Sequence, residues 1–355
     1  MQALFWISVA FMLYVYAGYA LVLAVWAKLA TRRAAQPGSG AELPGVTVII
    51  AARDEAARLP ARVENILASD YPHDRLEIIV ASDGSTDDTP EVLAPYARRV
   101  TLLRLPASGK AGALNAAVRE ATHPILVFAD ARQRFAPDAI RRLVAHFRDP
   151  RIGAVSGELM IDSANSTIGD GVGAYWEYEK WLRRREAIVG STLGVTGAIY
   201  AMRRWLWRPL PADTILDDVL APMRIVLGGQ RVIFDEQAHA FDVAPCHADT
   251  ELRRKSRTLA GNFQLLAREP RLLVPIVNPV WLQFMSHKVG RLLVPYALVG
   301  ILLSSAVLAA AGSPFYRVML AAQLAFYGLA GYGALLERRA RRAPMAASEV
   351  FREAA

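Results

Sequence analysis

The sequence predicts an α/β domain set between apolar ends that cross a membrane, and three observations carry that prediction. Short β-branched runs alternate with helix-patterned segments through the middle of the chain. The apolar excess collects at the two ends. The residues that follow each predicted strand are unusually acidic.

The chain has 355 residues, 54% hydrophobic and 21% charged, with a mean hydropathy of +0.22. A soluble domain of this length ordinarily carries more charge. The middle is long enough to bury a core without cross-links. Cys246 is the only cysteine, which excludes an intramolecular disulfide and argues against a thiolate zinc site. It fits a reducing compartment. The net charge of +8 does not read as nucleic-acid binding, because no basic stripe alternates with aromatics in a recognised motif. Much of the arginine lies beside the apolar ends, where membrane topology accounts for it.

Between residues 3 and 30 the only side chain ordinarily ionised is Lys28. A hydrocarbon core of ~30 Å needs about 20 such residues, so residues 1–30 read as an N-terminal transmembrane helix. A cleaved signal peptide would carry early positive charge; here Lys28, Arg32 and Arg33 follow the apolar run. Residues 292–311 and 318–336 are uncharged and separated by Gly312, Ser313 and Pro314. The segment 291–336 therefore reads as two further spans, and 337–355 as a basic cytoplasmic tail. Positive residues favour the cytoplasmic side. Three spans with the N-terminus outside place Arg32/Arg33, Lys288/Arg291 and Arg338 to Arg342 on that side together. The domain between is then cytoplasmic, at an inner or plasma membrane. Residues 271–290 carry Trp281 and Phe284 but are interrupted by Pro275, Asn278 and Pro279. They read as an amphipathic helix in the headgroup region, with a buried helix of the soluble domain as the rival.

Residues 31–45, rich in Pro, Gly and Ser, read as a linker, and 46–270 as the globular domain. VTVIIA (46–51) has the pattern of a buried parallel strand. Residues 55–68 have helical spacing, with Leu59, Val63, Ile66 and Leu67 on one face. EIIVA (77–81), residues 100–105 and ILVF (125–128) read as further strands, with helices at 89–96 and 111–121 between them. In such sheets ligands sit beyond the carboxyl ends of the strands. The candidates there are Ala52-Arg53-Asp54-Glu55, Ser82-Asp83-Gly84-Ser85 and Asp130-Ala131-Arg132, with Lys110 and Asn115 flanking the start of the third helix. Carboxylates at successive strand ends converge, where they can bind base and ribose hydroxyls or hold a metal. Singly each is weak: Asp83-Gly84 alone reads as a turn, and Lys110 alone as a solvated side chain. The order of the set carries the information.

Seven segments, VTVIIAARDEAARL, EIIVASDGSTDDT, SGKAGALNAAV, LVFADARQRFAPDAI, VTGAIYAMRR, TILDDVLAPMRI and RRKSRTLAGNFQLL, span residues 44–266. In that order the sequence resembles the GT-A catalytic domain of family 2 glycosyltransferases, the group that includes cellulose, chitin and hyaluronan synthases. The resemblance implies a Rossmann-like α/β fold with a mixed, mostly parallel sheet. It implies inverting transfer from a nucleotide-sugar donor, UDP by analogy with the family, to a lipid-linked or polysaccharide acceptor. It places Ala52, Asp54, Glu55, Asp83 and Asn115 against the donor and Lys110 near the pyrophosphate. Asp130 becomes the first acid of the Asp-X-Asp motif, which handles ribose and metal, Mg²⁺ or Mn²⁺. Asp218 falls where the general base is expected, with Asp217 beside it, and Gly197 lies in the acceptor-side segment. The lipid bilayer is an expected partner, as is a second copy or another cell-envelope biosynthesis protein.

The chemistry asks for the same groups. Transfer needs a carboxylate to take the acceptor hydroxyl proton and positive charge to stabilise the departing diphosphate. In Asp217-Asp218, like-charge repulsion can raise one pKa toward a useful value, although alone such a pair reads as a helix cap. Arg254 and Arg257 can clamp phosphates or headgroups. Trp176, Trp181, Trp205 and Trp207 offer stacking surfaces for an acceptor, or serve as core and interface anchors.

Two positions depart from the family pattern. Arg132 stands where the second acid of Asp-X-Asp is usual, and a guanidinium has no lone pair for a cation. The Gln-X-X-Arg-Trp window of processive synthases holds Arg254, Lys255, Ser256, Arg257 and Thr258, which weakens a processive reading. A non-catalytic membrane scaffold that binds nucleotide or a partner protein is the alternative, separated from an enzyme by turnover of a nucleotide sugar.

Overall fold

The computed structural model describes residues 1–30, 43–162, 170–243 and 248–342. Most of the expected linker at 31–45 and of the tail at 337–355 lies outside them. The chain divides into two units, Tyr19–Leu292 and Met1–Gly18 with Leu293–Ala355.

The larger unit is built on eight strands: β1 (Val46–Ala52), β2 (Leu76–Asp83), β3 (Val100–Leu105), β4 (Ile125–Ala129), β5 (Arg134–Phe135), β6 (Ile152–Asp162), β7 (Ile199–Arg203) and β8 (Arg231–Val243). They form one sheet in the order β3-β2-β1-β4-β7-β6-β8-β5. The first four in that order run parallel. β7 is antiparallel to both β4 and β6, β6 pairs in parallel with β8, and β5 is antiparallel to β8. The sheet is thus mixed, as expected. The direction changes between β4 and β7, the kind of place where α/β sheets open a ligand crevice.

The helices, in chain order, are α1 (Gln2–Leu29), α2 (Leu59–Leu67), α3 (Thr89–Leu93), α4 (Gly109–Glu120), α5 (Ala139–Ala145), α6 (Asp170–Val189), α7 (Asp217–Leu227) and α8 (Ala248–Arg268). After these come α9 (Trp281–Ala310) and α10 (Pro314–Arg342). β1 is apolar along its whole length because helices cover both faces of the sheet. Its alternating side chains divide between two cores. Val46, Val48 and Ile50 pack with Leu59, Val63 and Ile66 of α2, while Ile49 packs with Ala113, Leu114 and Ala117 of α4. Each such buried aliphatic contributes about 1.5–3 kcal/mol. The chain leaves β2 through Gly84, whose φ is 65°; a Cβ there would meet Ala107 at 2.8 Å. Only glycine lets this turn close against the loop before α4.

The expected amphipathic helix over 271–290 is not a separate element. A short 3-10 turn covers Pro270–Leu273, and the helix that begins at Trp281 continues to Ala310 without a break. Polar residues in and beside the first turns of that helix have partners within the protein. His287 Nδ1 lies 2.6 Å from Glu186 Oε1, the Tyr19 hydroxyl donates to the same oxygen at 2.8 Å, and Arg291 pairs with Glu179. Satisfied in this way, they need not reach water.

Among the described residues two helices are long and apolar enough to cross a bilayer, α1 and α9. Three spans were expected; the third apolar run, 318–336, lies within α10, part of which falls outside the described side chains. In the smaller unit Phe5, Ile301, Ala309 and Tyr316 form a core. Gly300 lets Ser8 approach closely, since a Cβ there would sit 2.8 Å from the Ser8 hydroxyl, the small-residue packing that suits helices in lipid.

Candidate active site

The loops after β1 and β2 are laced together. Asp54 adopts φ 53°, a left-handed conformation that a non-glycine residue holds only with support. Support comes from the Thr86 N–H, which donates to Asp54 Oδ1 at 2.8 Å, and from the Asp54 N–H, which donates to Ser85 Oγ at 3.1 Å. The Ala56 N–H donates to Asp87 at 2.8 Å, and Glu55 pairs with Arg58 at 2.6 Å. Ala52 is buried at the end of β1. These residues line the carboxyl edge of the sheet, where the donor was expected.

Asp83 closes β2 and is 5% exposed. Its Oδ1 accepts the N–H groups of Ser108 at 2.6 Å and Gly109 at 3.1 Å. It therefore holds the start of α4, the helix that carries Lys110 in its first turn. The Lys110 ammonium lies 3.3 Å from Asp130 Oδ1, just beyond β4, and 3.4 Å from Asp217 Oδ2, at the start of α7. Burial lowers the lysine's pKa, but the Asp217, Asp130 and Asp218 carboxylates outweigh it and the net shift is upward. Lys110 stays charged.

Asp218 is half-buried beside this pair. Desolvation, followed by the neighbouring Asp217 charge, pushes its pKa up to about 6 against the opposing pull of Lys110 and Lys288. Gly197 faces it directly: a Cβ on Gly197 would lie 3.5 Å from Asp218 Oδ2. The Val195 N–H also donates to the Asp218 carbonyl at 2.9 Å, which fixes the acceptor-side segment against α7. Strand ends far apart in sequence thus bring Lys110, Asp130, Asp217, Asp218 and Gly197 to one place.

Other expected donor residues are placed differently. Asn115 spends its amide on Leu210, donating to its carbonyl at 2.7 Å and accepting its N–H at 2.9 Å. It braces the segment leading to α7 rather than facing a ligand. Arg132 reaches Asp242 of β8 at 2.5 Å, and Gln133 shares that carboxylate at 2.9 Å. The Arg132 guanidinium is thus tied to the end of β8. Arg257 is exposed on α8, one turn before Gly261, which packs against Ile215 and Leu216 just ahead of Asp217. The Arg254 side chain lies outside the described residues. Trp176 lines a recess with Arg183, Thr196 and Phe234, among others. Among the described residues no group of three or more His, Cys, Asp or Glu is poised to hold a metal.

Three residues of the site escaped sequence reasoning. The Tyr200 hydroxyl is buried with no hydrogen-bond partner among the described residues, and desolvation plus Asp217, Asp218 and Asp130 raise its pKa, so it stays protonated. Arg183 donates to the Thr196 hydroxyl at 2.7 Å. Lys288 acts electrostatically on Asp218. Tyr200 had a signal, since it lies within the quoted VTGAIYAMRR segment. The other two sit in helical runs where a cation ordinarily reads as solvated.

Residues 47–206 match the model of glycosyl transferase family 2. That segment is a family 2 glycosyltransferase domain. A solved mannosyltransferase from Pyrobaculum calidifontis, in complex with GDP-Man and Mn2+, is 27% identical and superposes with a TM-score of 0.72 over 91% of this chain and 92% of that one. The poly-beta-1,6-N-acetyl-D-glucosamine synthase of Staphylococcus aureus is 24% identical over 239 residues, 64% of this chain. A beta-monoglucosyldiacylglycerol synthase from Nostoc is 28% identical over 198 residues, 52% of this chain and 42% of that protein. The chain spans 57% of the length of the staphylococcal synthase. The fold is GT-A-like.

Proposed function

We propose that this glycosyltransferase is membrane-anchored and inverting, moving a sugar from a nucleotide-sugar donor to a lipid-linked or polysaccharide acceptor at the cytoplasmic face, with Asp218 as general base. The observation that carries the reading is the Lys110 ammonium set between Asp130 and Asp217, 3.3 Å and 3.4 Å away, with Asp218 alongside. Anchoring is supported by the two helices long and apolar enough to span and by the basic residues that flank the apolar runs.

The donor's diphosphate leaves toward Lys110, whose fixed charge stabilises the developing negative oxygens in a partly water-excluded site. Asp218, with a pKa of about 6, is ionised at neutral pH yet basic enough to accept the acceptor hydroxyl proton as its oxygen attacks the anomeric carbon. Gly197 leaves room for that hydroxyl. Asp130 is 38% exposed and meets Lys110 through one oxygen, so it fits a divalent ion shared with donor phosphates, which ordinarily complete such a shell. Asp130 would hold that ion, and the ion would supply further charge neutralisation to the leaving group. The family analogy favours UDP, whereas the mannosyltransferase relative was solved with GDP-Man, so a donor screen must present both.

Asp218→Asn should lower kcat by about 10²–10⁴ while the donor Kd measured by titration stays unchanged. Turnover retained at the wild-type rate removes Asp218 from the base role.

A further inference from the structure

Tyr200 lies on the floor of the acid cluster. In the antiparallel pairing of β4 with β7 it stands opposite Phe128, and the two rings stack at 4.5 Å. Residues two apart on a strand share a face, and Asp130 leaves β4 two residues beyond Phe128, where α4 brings Lys110 to it. Tyr200 shares one buried core with Leu114 of α4 and with Val219 and Leu220 of α7, which directly follow Asp217 and Asp218. The side chain is 1% exposed. Its hydroxyl has no hydrogen-bond partner among the described residues. After desolvation, the charges that raise its pKa are Asp217, Asp218 and Asp130, in that order. A buried O–H without an acceptor is uncommon and costs free energy, so a protonated donor is held unsatisfied within electrostatic reach of three carboxylates.

Asp217 is the acceptor that this donor suits. It is 6% exposed, and Lys110, at 3.4 Å, is its one ion-pair partner among the described residues. The same ammonium is shared with Asp130 and is the group to which the donor diphosphate leaves in the function proposed above. Lys110 drawn to the diphosphate leaves Asp217 buried without its counter-ion, which is strongly unfavourable. A phenol that donates to the carboxylate offsets that loss, because a hydrogen bond to an ionised acceptor is about twice as strong as a neutral one.

We propose that Tyr200 is a positioning residue for donor binding: its hydroxyl donates to Asp217 when Lys110 turns from that carboxylate to the diphosphate. The unsatisfied hydroxyl of the free protein is the counterpart of a hydrogen bond made in the donor complex. Asp217 then stays ionised beside Asp218, and the base keeps the neighbouring charge that raises its pKa. This inference rests on Lys110 being the partner of the diphosphate, and it adds the group that replaces the lysine at Asp217.

The test titrates UDP and GDP calorimetrically into the full-length protein in phosphatidylcholine nanodiscs. Tyr200→Phe should weaken binding of the nucleotide about tenfold. In an Asp217→Asn background the same substitution should change the affinity less than about twofold, since the carboxylate that it serves is gone. Without nucleotide, Tyr200→Phe should melt no lower than wild type, because it deletes a hydroxyl that the free protein leaves unsatisfied. A tyrosine that serves only the fold would lower the melting temperature instead. Unchanged affinity in Tyr200→Phe, an equal loss in the Asp217→Asn background, or a lower melting temperature overturns the proposal. Lys110→Met separates the proposal from the reading beneath it. An affinity loss of about tenfold or more there keeps Lys110 at the diphosphate whatever Tyr200→Phe does. Unchanged affinity in Lys110→Met, or binding of neither nucleotide to the wild type, removes that role and the proposal with it.

Discussion

The two halves of the larger unit treat charge in opposite ways. At the carboxyl edge of β1 to β4, acids crowd together around a single ammonium: Asp130 and Asp217 share Lys110 while Asp218 takes a raised pKa beside them. Where α6 meets α9, the buried carboxylates Glu186 and Glu179 flank His287 and are completed by the Tyr19 hydroxyl and by Arg291 respectively, so each carboxylate has a donor for its charge. The first arrangement keeps like charges side by side, and the second satisfies itself. Pairing, rather than the presence of buried charge, separates the reactive region from the structural one.

That contrast can be broken by substitution, beginning with the largest effect. Lys110→Met removes the one cation shared by the acids and should lower kcat by about 10²–10³, measured as nucleoside diphosphate release with saturating donor. Glu186→Gln keeps volume but breaks the buried network. It should cost about 3 kcal/mol or more and lower the melting temperature in nanodiscs by about 5–10 °C, with the donor KM unchanged. The smallest effect has the opposite sign. Asp218 titrates near 6 in the fold against 3.8 ordinarily, so its ionised form opposes folding above pH 6, and that penalty fades as the pH falls toward 4. Asp218→Asn should therefore melt above wild type at pH 8, by up to about 3 kcal/mol of stability, with the gap closing by pH 4. Destabilisation by Asp218→Asn, or stabilisation by Glu186→Gln, would erase the distinction between the two regions.

The same contrast explains how much was legible in the sequence. The parallel strands read clearly because β1, β2 and β4 are buried on both faces and so appear as unbroken apolar runs. The strand-end acids followed from that placement alone. The sequence positions of Asn115 and Arg132 suit the donor, but the partners that hold them in the fold, Leu210 and Asp242, lie 95 and 110 residues away and leave no local signal. The break expected before residue 291 failed for a similar reason. Lys288 and Arg291 were read as the positive edge of a span, and nothing local shows that Glu179, 112 residues away, would pair with Arg291. Long-range pairing of a charge is invisible to periodicity, so Arg183 was passed over and Lys288 was read only as a topology charge.

The most direct test of the acid cluster is the pH dependence of kcat in the wild type and in Asp217→Asn. Because the Asp217 charge raises the Asp218 pKa, the wild-type rate should rise through an acidic limb near pH 6, and removing that charge should move the limb to lower pH. A limb that stays in place in Asp217→Asn, or a wild-type rate independent of pH between 5 and 8, would contradict the assignment.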